Sequence, residues 1–177
     1  MSLAFYISMA RKFQMESAAM AHTESLSLLP RNGHSVPFVE LRQSLPSKVS
    51  AISPFVDQLM RFVLYFRHAD GSEIAIETAL REALANAVIH GNGDDSCKIV
   101  YVTCRCYMDG EIAITVRDEG RGFDSNAVPD PTLSENLLFS HGRGIYLMKT
   151  LMDEVFFEEG GSVVRMRKNS NLGPSSG

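Results

Sequence analysis

The sequence lacks the features that mark several classes of protein. None of its hydrophobic runs approaches the roughly 18 residues that span a bilayer, so we expect a soluble protein without membrane contact. Basic residues are not in excess, because 17 Lys and Arg stand against 21 Asp and Glu, giving a formal charge of −4. Proteins that bind nucleic acid usually neutralise its phosphates with basic side chains. The composition therefore disfavours direct nucleic-acid binding.

Cysteine is also scarce, with only Cys97, Cys104 and Cys106 in the chain. Three cysteines do not form a paired disulfide framework. Cys104 and Cys106 are two residues apart in a strand-like stretch and share one face, but no His or further Cys follows at the spacing of a zinc finger. We interpret this pair as small buried thiols and expect a reducing, cytoplasmic location.

The remaining composition is that of a globular domain. Hydrophobic residues make up 45% and charged residues 21%, which suffices for a core in a chain about one domain long. The apolar stretch 3–10 precedes the first basic residues, the reverse of the order in a secretory signal. We predict an N-terminal extension of uncertain order over 1–35, one domain over 36–168 and a flexible tail over 169–177.

Hydrophobic periodicity predicts an α+β fold. Clustered strands with helices beside them indicate a two-layer α/β sandwich, in which helices cover one face of a mixed, mostly antiparallel sheet. A loop of about twenty residues is long for a compact domain and is a candidate ligand-binding segment. The predicted order is a strand (39–45), a helix ending at 67, a helix (72–90), two hairpin strands (98–107 and 111–118), the loop (119–142), a helix (143–153) and two strands (155–157 and 163–167).

Two polar side chains interrupt the second predicted helix, which is otherwise apolar nearly all round. Glu82 and Asn86 are four residues apart and therefore share one face of the helix. Hydrogen bonds to neighbouring backbone could satisfy the two side chains, or the two could lie at an exposed edge of the helix. Alternatively, the pair faces a pocket, where an amide oxygen suits Mg²⁺ and a carboxylate can act as a general base.

A carboxylate stands at the end of the second hairpin strand. Asp118 shares the core-facing side of that strand with Val116 by the two-residue period, and a carboxylate in such a position needs a partner. Gly120 and Gly122 follow it and permit sharp turns and close approach to the backbone. Taken alone, this pattern also fits an ordinary turn.

A second glycine pair opens the third predicted helix. Gly142 and Gly144, with Arg143 between them, would expose backbone N–H groups at the positive end of a helix dipole, which favours phosphate binding. Taken alone, this pattern also fits a flexible joint between a loop and a helix.

Taken together, the three motifs are far more specific. The segments ETALREALANAVIHGN, VRDEGRGFD and HGRGIYLMKTLMDEV resemble, in this order, the N, G1 and G2 boxes of the GHKL (Bergerat-fold) ATPases. Within that superfamily they are most similar to the anti-sigma factor serine-protein kinases of the RsbW and SpoIIAB type. The resemblance covers about residues 37–168 and implies the Bergerat ATP-binding fold.

The resemblance implies a role for each residue of the first two motifs. Asn86 would chelate the Mg²⁺ that bridges the nucleotide phosphates, and Glu82 would be the catalytic general base that activates the attacking hydroxyl. Asp118 would accept a hydrogen bond from the adenine amino group. Gly120 and Gly122 would let the base pack closely against the backbone.

The third motif and the closing strands would complete the nucleotide site. Gly142 and Gly144 would hold the phosphates through N–H groups, with Arg143 nearby. Ser162, in GGSVV, is the candidate for the small hydroxyl near the adenine and its water. Residues 125–141 would form the lid over ATP.

The resemblance implies an ATP- and Mg²⁺-dependent protein serine kinase. Such a protein phosphorylates an anti-anti-sigma (STAS-type) partner, holds a sigma factor inactive in a partner switch and commonly forms a homodimer. Three alternatives remain at this stage. The chain could be a nucleotide-gated binding module without phosphoryl transfer, a partner-switching kinase with a target other than sigma, or a plain α+β domain with chance motifs.

Overall fold

The computed structural model describes residues 8–9, 12–13, 23–29, 37–66, 70–122 and 140–170. Within these residues, a six-stranded sheet packs against three α-helices, which confirms the predicted α+β two-layer fold. The predicted lid, residues 125–141, lies outside the described residues except for its last two positions. None of the described helices is both long and apolar enough to cross a bilayer.

The sheet has the spatial order β1-β2-β3-β4-β6-β5. Every neighbouring pair of the described strands is antiparallel, in keeping with the mostly antiparallel sheet that the sequence predicts. Strand β1 was not predicted, because the residues that form it carry no clear hydrophobic period. The strands are β1 (Thr23–Leu29), β2 (Phe38–Pro46), β3 (Ile99–Tyr107), β4 (Ile112–Arg117), β5 (Glu154–Glu158) and β6 (Val163–Lys168).

The helices lie close to their predicted positions. Helix α1 spans Val49–Phe66, and Pro54 lies within it. Helix α2 spans Glu73–Ala85 and continues directly into a π-helical turn over Asn86–Gly91, which the sequence did not predict. Helix α3 spans Ser140–Leu151 and begins three residues before the predicted start. The G2 glycines therefore lie within the first turns of α3 rather than before it.

The core lies between the helices and one face of the sheet. Alternate residues of the central strands point into it. Helix α2 buries one stripe of side chains and leaves most of the others partly exposed, so it is less buried than its apolar sequence indicates; the buried residues are Ile76, Ala79, Leu80, Ala83 and Leu84. Cys104 and Cys106 are buried, as expected, and neither forms a disulfide with another described residue. Burial raises the pKa of the Cys104 thiol above its usual value. Fully buried large side chains include Leu41, Leu59, Phe62, Ile76, Leu80, Leu84, Ile112, Ile114, Met148 and Met166.

Two isoleucines near the start of α2 test this burial. Ile76 is 0% exposed and Ile74 is 80% exposed. Ile76→Ala should lower the free energy of unfolding by about 2–5 kcal/mol, because it removes buried methyl groups and leaves a cavity. Ile74→Ala should change it by at most about 0.5 kcal/mol. Denaturant titrations measure both, and equal losses would contradict the described orientation of α2.

Candidate functional site

The π-helical turn at the end of α2 forms one corner of the candidate site. The N–H of Asn92 donates to the carbonyl of Ala87, five residues back, at 2.8 Å, and the N–H of Asp94 donates to the carbonyl of Val88 at 2.7 Å. Such wide turns are rare and occur frequently at functional sites. Here the turn places the backbone of Gly91 directly against the end of β4.

A partly open cleft lies between α2 and strands β4, β5 and β6. Three of the predicted site residues line it: Asn86, Asp118 and Ser162. An apolar cleft with a few polar groups at its walls is the usual form of a small-molecule site. The other lining residues are small or apolar: Ala83, Ala87, Val116, Phe157, Gly161 and Val164.

Asp118 is the buried carboxylate of the cleft, with 8% of its surface exposed. Its Oδ1 accepts a hydrogen bond from the N–H of Gly120 at 2.8 Å, and its own N–H donates to the carbonyl of Ser162 at 3.0 Å. Burial raises the pKa of Asp118 above the ordinary 3.8, although the Gly120 bond and the charge of Lys98 act in the opposite direction. A desolvated carboxylate of this kind is a strong acceptor for a ligand N–H group.

The two G1 glycines make room for other parts of the protein backbone. A Cβ on Gly120 would collide with the carbonyl of Gly91, and one on Gly122 would collide with the carbonyl of Gly160. Gly122 also has a φ of +74°, which L side chains rarely adopt. Both positions therefore require glycine for internal packing, and their contact with a base stays a prediction.

The catalytic candidates meet the G2 motif beside the cleft. A Cβ on Gly144 would lie 2.7 Å from Glu82 Oε2 and 3.5 Å from both amide atoms of Asn86. Gly144 thus allows α3 to approach α2 at this point. Gly142 lies two residues earlier, in the first turn of α3, and Arg143 is exposed between the two glycines.

The Asn86 amide suits a role toward a ligand. Its Nδ2 atom is buried and has no hydrogen-bond partner among the described residues, whereas buried polar atoms are ordinarily paired. The amide of Asn86 and the carboxylate of Glu82 offer the oxygen donors that Mg²⁺ prefers. No group of three or more His, Cys, Asp or Glu in the described part of the chain could hold a metal by itself. The residues fit Mg²⁺ provided that a ligand such as a nucleotide phosphate completes its shell.

The hydroxyl of Ser162 is turned back toward the protein. Its Oγ donates to the carbonyl of Glu159 at 3.0 Å, while its own carbonyl holds the N–H of Asp118. Ser162 therefore supports Asp118 through its backbone, and its predicted proximity to adenine stays a prediction.

Gly91 and Asn92 belong to the site and were not predicted as site residues. Sequence reasoning took Gly91 only as the end of a helix, because a contact between that end and β4 is not visible in any local pattern. A Cβ on Gly91 would lie 2.6 and 2.5 Å from Oδ1 and Oδ2 of Asp118. The one available signal is that both residues close the N-box segment ETALREALANAVIHGN.

Comparison with known proteins matches most of the chain. A family model described as a histidine kinase-like ATPase domain matches residues 45–168, which include all the predicted site residues. The Anti-sigma F factor of Heyndrickxia coagulans is 35% identical over 101 residues, or 54% of this chain and 69% of that protein. The Anti-sigma F factor of Clostridium botulinum (strain Alaska E43 / Type E3) is 32% identical over 147 residues, or 80% of this chain and 96% of that protein.

The raised pKa of Asp118 has a consequence for stability. The folded state holds the proton more tightly than the unfolded chain, so the ionised carboxylate destabilises the fold above its folded-state pKa. This cost disappears as the pH falls through that pKa toward 3.8. Asp118→Asn should therefore raise the free energy of unfolding of the nucleotide-free protein near neutral pH, and the gain should vanish on acidification.

Denaturant titrations of wild type and variant at about pH 7 and about pH 4 check this sign. Asp109→Asn, in the exposed turn between β3 and β4, is the matched control and should change stability by at most about 0.5 kcal/mol. A loss of stability in Asp118→Asn near neutral pH would contradict the desolvation argument.

Proposed function

Since the chain belongs to the anti-sigma factor branch of the GHKL, histidine kinase-like ATPase family, we propose that it is an ATP- and Mg²⁺-dependent protein serine kinase. One observation carries the proposal. Along α2 and its π-helical turn, Glu82 and Asn86 lie against Gly144 of α3, while Gly91 lies against Asp118 of the cleft. One helix with its π-helical turn thus connects Glu82 and Asn86 to Asp118, the carboxylate proposed to recognise adenine.

Asp118 is proposed to recognise adenine. A purine between the apolar walls of the cleft would place its exocyclic amino group toward the desolvated carboxylate, the one acidic side chain among the cleft-lining residues of the described chain. Hydrogen bonds to charged groups contribute about 1.5–3 kcal/mol. This is sufficient to favour adenine over a base that carries no amino group at that position.

Asn86 and the start of α3 are proposed to hold the phosphates. The Asn86 amide would bind the Mg²⁺, whose charge offsets that of the phosphates when it is bound. The backbone N–H group at Gly142, in the first turn of α3, would donate to phosphate oxygens, favoured by the helix dipole. Gly144, the fifth residue of α3, would instead leave space for the phosphates beside Glu82 and Asn86. Arg143, exposed at the same end of α3, adds positive charge near the γ-phosphate.

Glu82 is proposed to act as the general base. Its carboxylate would accept the proton of an acceptor serine as the serine oxygen forms a bond to the γ-phosphorus. The bond from that phosphorus to the β–γ bridging oxygen breaks at the same time, leaving phosphoserine and ADP. Phosphoryl transfer of this kind needs positioning and charge stabilisation more than covalent chemistry by the protein. A module that only binds nucleotide would have no need of a base.

The proposed biological role is a partner switch. By their names, the similar proteins act against sigma F. We assign to this chain two partners: a sigma factor that it sequesters, and an anti-anti-sigma protein of the STAS type that it phosphorylates on serine. Assembly as a homodimer in the cytoplasm belongs to the same proposal. The net charge of −4 agrees with protein rather than nucleic-acid partners.

Substitutions in α2 test the assignment of Glu82 as the general base. Glu82→Gln should leave the Kd for Mg·ATP within about threefold of wild type and slow phosphate transfer by about 10²–10⁴-fold. Glu77→Gln is the matched control, because Glu77 lies on the same helix and pairs with Arg81 at 2.9 Å. Transfer to a candidate anti-anti-sigma protein is followed with radiolabelled ATP, and nucleotide binding by calorimetry.

Two further variants separate binding from chemistry. Asn86→Ala should weaken the dependence of ATP affinity on Mg²⁺, and Asp118→Ala should weaken ATP binding itself by about 10–100-fold. ATP binding by the wild type without modification of any acceptor would favour the nucleotide-gated module over the kinase. If the wild type does not bind ATP, the assignment of the N, G1 and G2 motifs to a nucleotide site is wrong.

A further inference from the structure

One buried side chain connects three parts of the cleft corner. Asn92, directly after the π-helical turn, is 3% exposed. Its Nδ2 donates to the carbonyl of Ile99 at the start of β3, at 3.3 Å, and its Oδ1 accepts the N–H of Glu119 at 2.9 Å. The amide therefore joins the end of α2 to β3 and to the residue that follows Asp118.

The backbone around Asp118 is fixed at consecutive residues. The N–H of Asp118 donates to Ser162, the N–H of Glu119 donates to Asn92, and the N–H of Gly120 donates to the Asp118 carboxylate. The first of these bonds continues the pairing of β4 with β6, and the third is local. The bond from Glu119 to Asn92 is the one of the three that ties the Asp118 turn to α2.

Glu119 strengthens the same anchor through its side chain. Its Oε2 accepts the N–H of Ile99 at 2.9 Å, and its Oε1 accepts the hydroxyl of Tyr101 at 3.3 Å. Ile99 thus receives a hydrogen bond from Asn92 at its carbonyl and donates one to Glu119 at its N–H. The three residues close a small network behind Asp118.

Because Gly91 packs closely against Asp118, the position of the Asn92 network affects the position of the Asp118 carboxylate. A Cβ added at Gly91 would collide with both Asp118 oxygens, and the Gly91 carbonyl fills the space beside Gly120. A shift of the Asp118 turn relative to α2 must therefore move the carboxylate or separate it from Gly91. Asn92, the next residue in the chain, sets that relative position.

We infer that Asn92 is a positioning residue for adenine recognition: it holds the Asp118 carboxylate in the orientation that accepts the adenine amino group. This inference rests on the proposed function, because it takes Asp118 as the residue that reads the base. Asn92 itself is not among the residues that line the cleft. Its effect should therefore be on the selectivity for the amino group rather than on contact with the nucleotide.

The test compares ATP with purine riboside triphosphate, the analogue that lacks the amino group. The ratio of the two Kd values measures the contribution of that group. In the wild type this ratio should be about tenfold or more, the range for a hydrogen bond to a charged acceptor. Asn92→Ala should reduce the ratio to within about threefold of unity, mainly by weakening ATP binding.

Ser72→Ala is the matched control for a general loss of stability. Ser72 is also 3% exposed, lies next to the opposite end of α2, and donates from its hydroxyl to Asp70 at 2.6 Å. The control should lower the melting temperature while the Kd ratio stays at the wild-type value. Gly91→Ala is the positive control, since its new Cβ displaces the Asp118 carboxylate directly and should abolish the selectivity without any change at Asn92.

The outcomes separate the two proposals. If the Kd ratio of the wild type is near one and Asp118→Asn does not change it, Asp118 does not recognise the adenine amino group. That result would refute the proposed role of Asp118, and this inference with it. A wild-type preference that is lost in Asp118→Asn but retained in Asn92→Ala would refute the positioning role alone. If Asn92→Ala does not fold, Asn92→Ser decides, because its shorter side chain cannot reach both the Ile99 carbonyl and the Glu119 N–H. A wild-type ratio in that variant would overturn the inference.

Discussion

The contact between the Gly91 backbone and the Asp118 carboxylate is the constraint on which the candidate site depends. It brings the end of a buried helix to the end of a central strand so closely that neither Gly91 nor Gly120 has room for a side chain. The π-helical turn over Asn86–Gly91 delivers the backbone to this point. The same turn begins at Asn86. One π-helical turn therefore positions both Asn86, the proposed metal ligand, and the backbone that packs against Asp118, the residue proposed to recognise adenine.

Burial of Asp118 links stability to function. A carboxylate that is 8% exposed and whose pKa is raised by desolvation makes the nucleotide-free fold less stable than a neutral side chain would. The same desolvation strengthens its hydrogen bond to a ligand, because water does not compete for the acceptor. Perturbed carboxylates of this type cluster at functional sites, and natural proteins commonly tolerate the cost where binding requires it.

The sequence was informative wherever a feature had a local period or a compact motif. Alternation along residues 39–45 and the apolar stripe of α1 predicted their elements, and the spacing of Glu82 and Asn86 predicted a shared helix face. Strand β1 was missed because Leu26 and Leu28 alternate with serines over too short a stretch to stand out. The π-helical turn and the roles of Gly91 and Asn92 depend on contact with β4, and tertiary contacts of that kind leave no period in the chain.

The most direct test is a crystal structure of the protein with Mg²⁺ and a non-hydrolysable ATP analogue. We expect the adenine amino nitrogen within about 2.7–3.2 Å of an Asp118 carboxylate oxygen, with the Asn86 side chain at the metal. We also expect the phosphates at the first turns of α3 and the γ-phosphate facing Glu82. A nucleotide bound outside the cleft, or one whose base makes no contact with Asp118, would contradict the account.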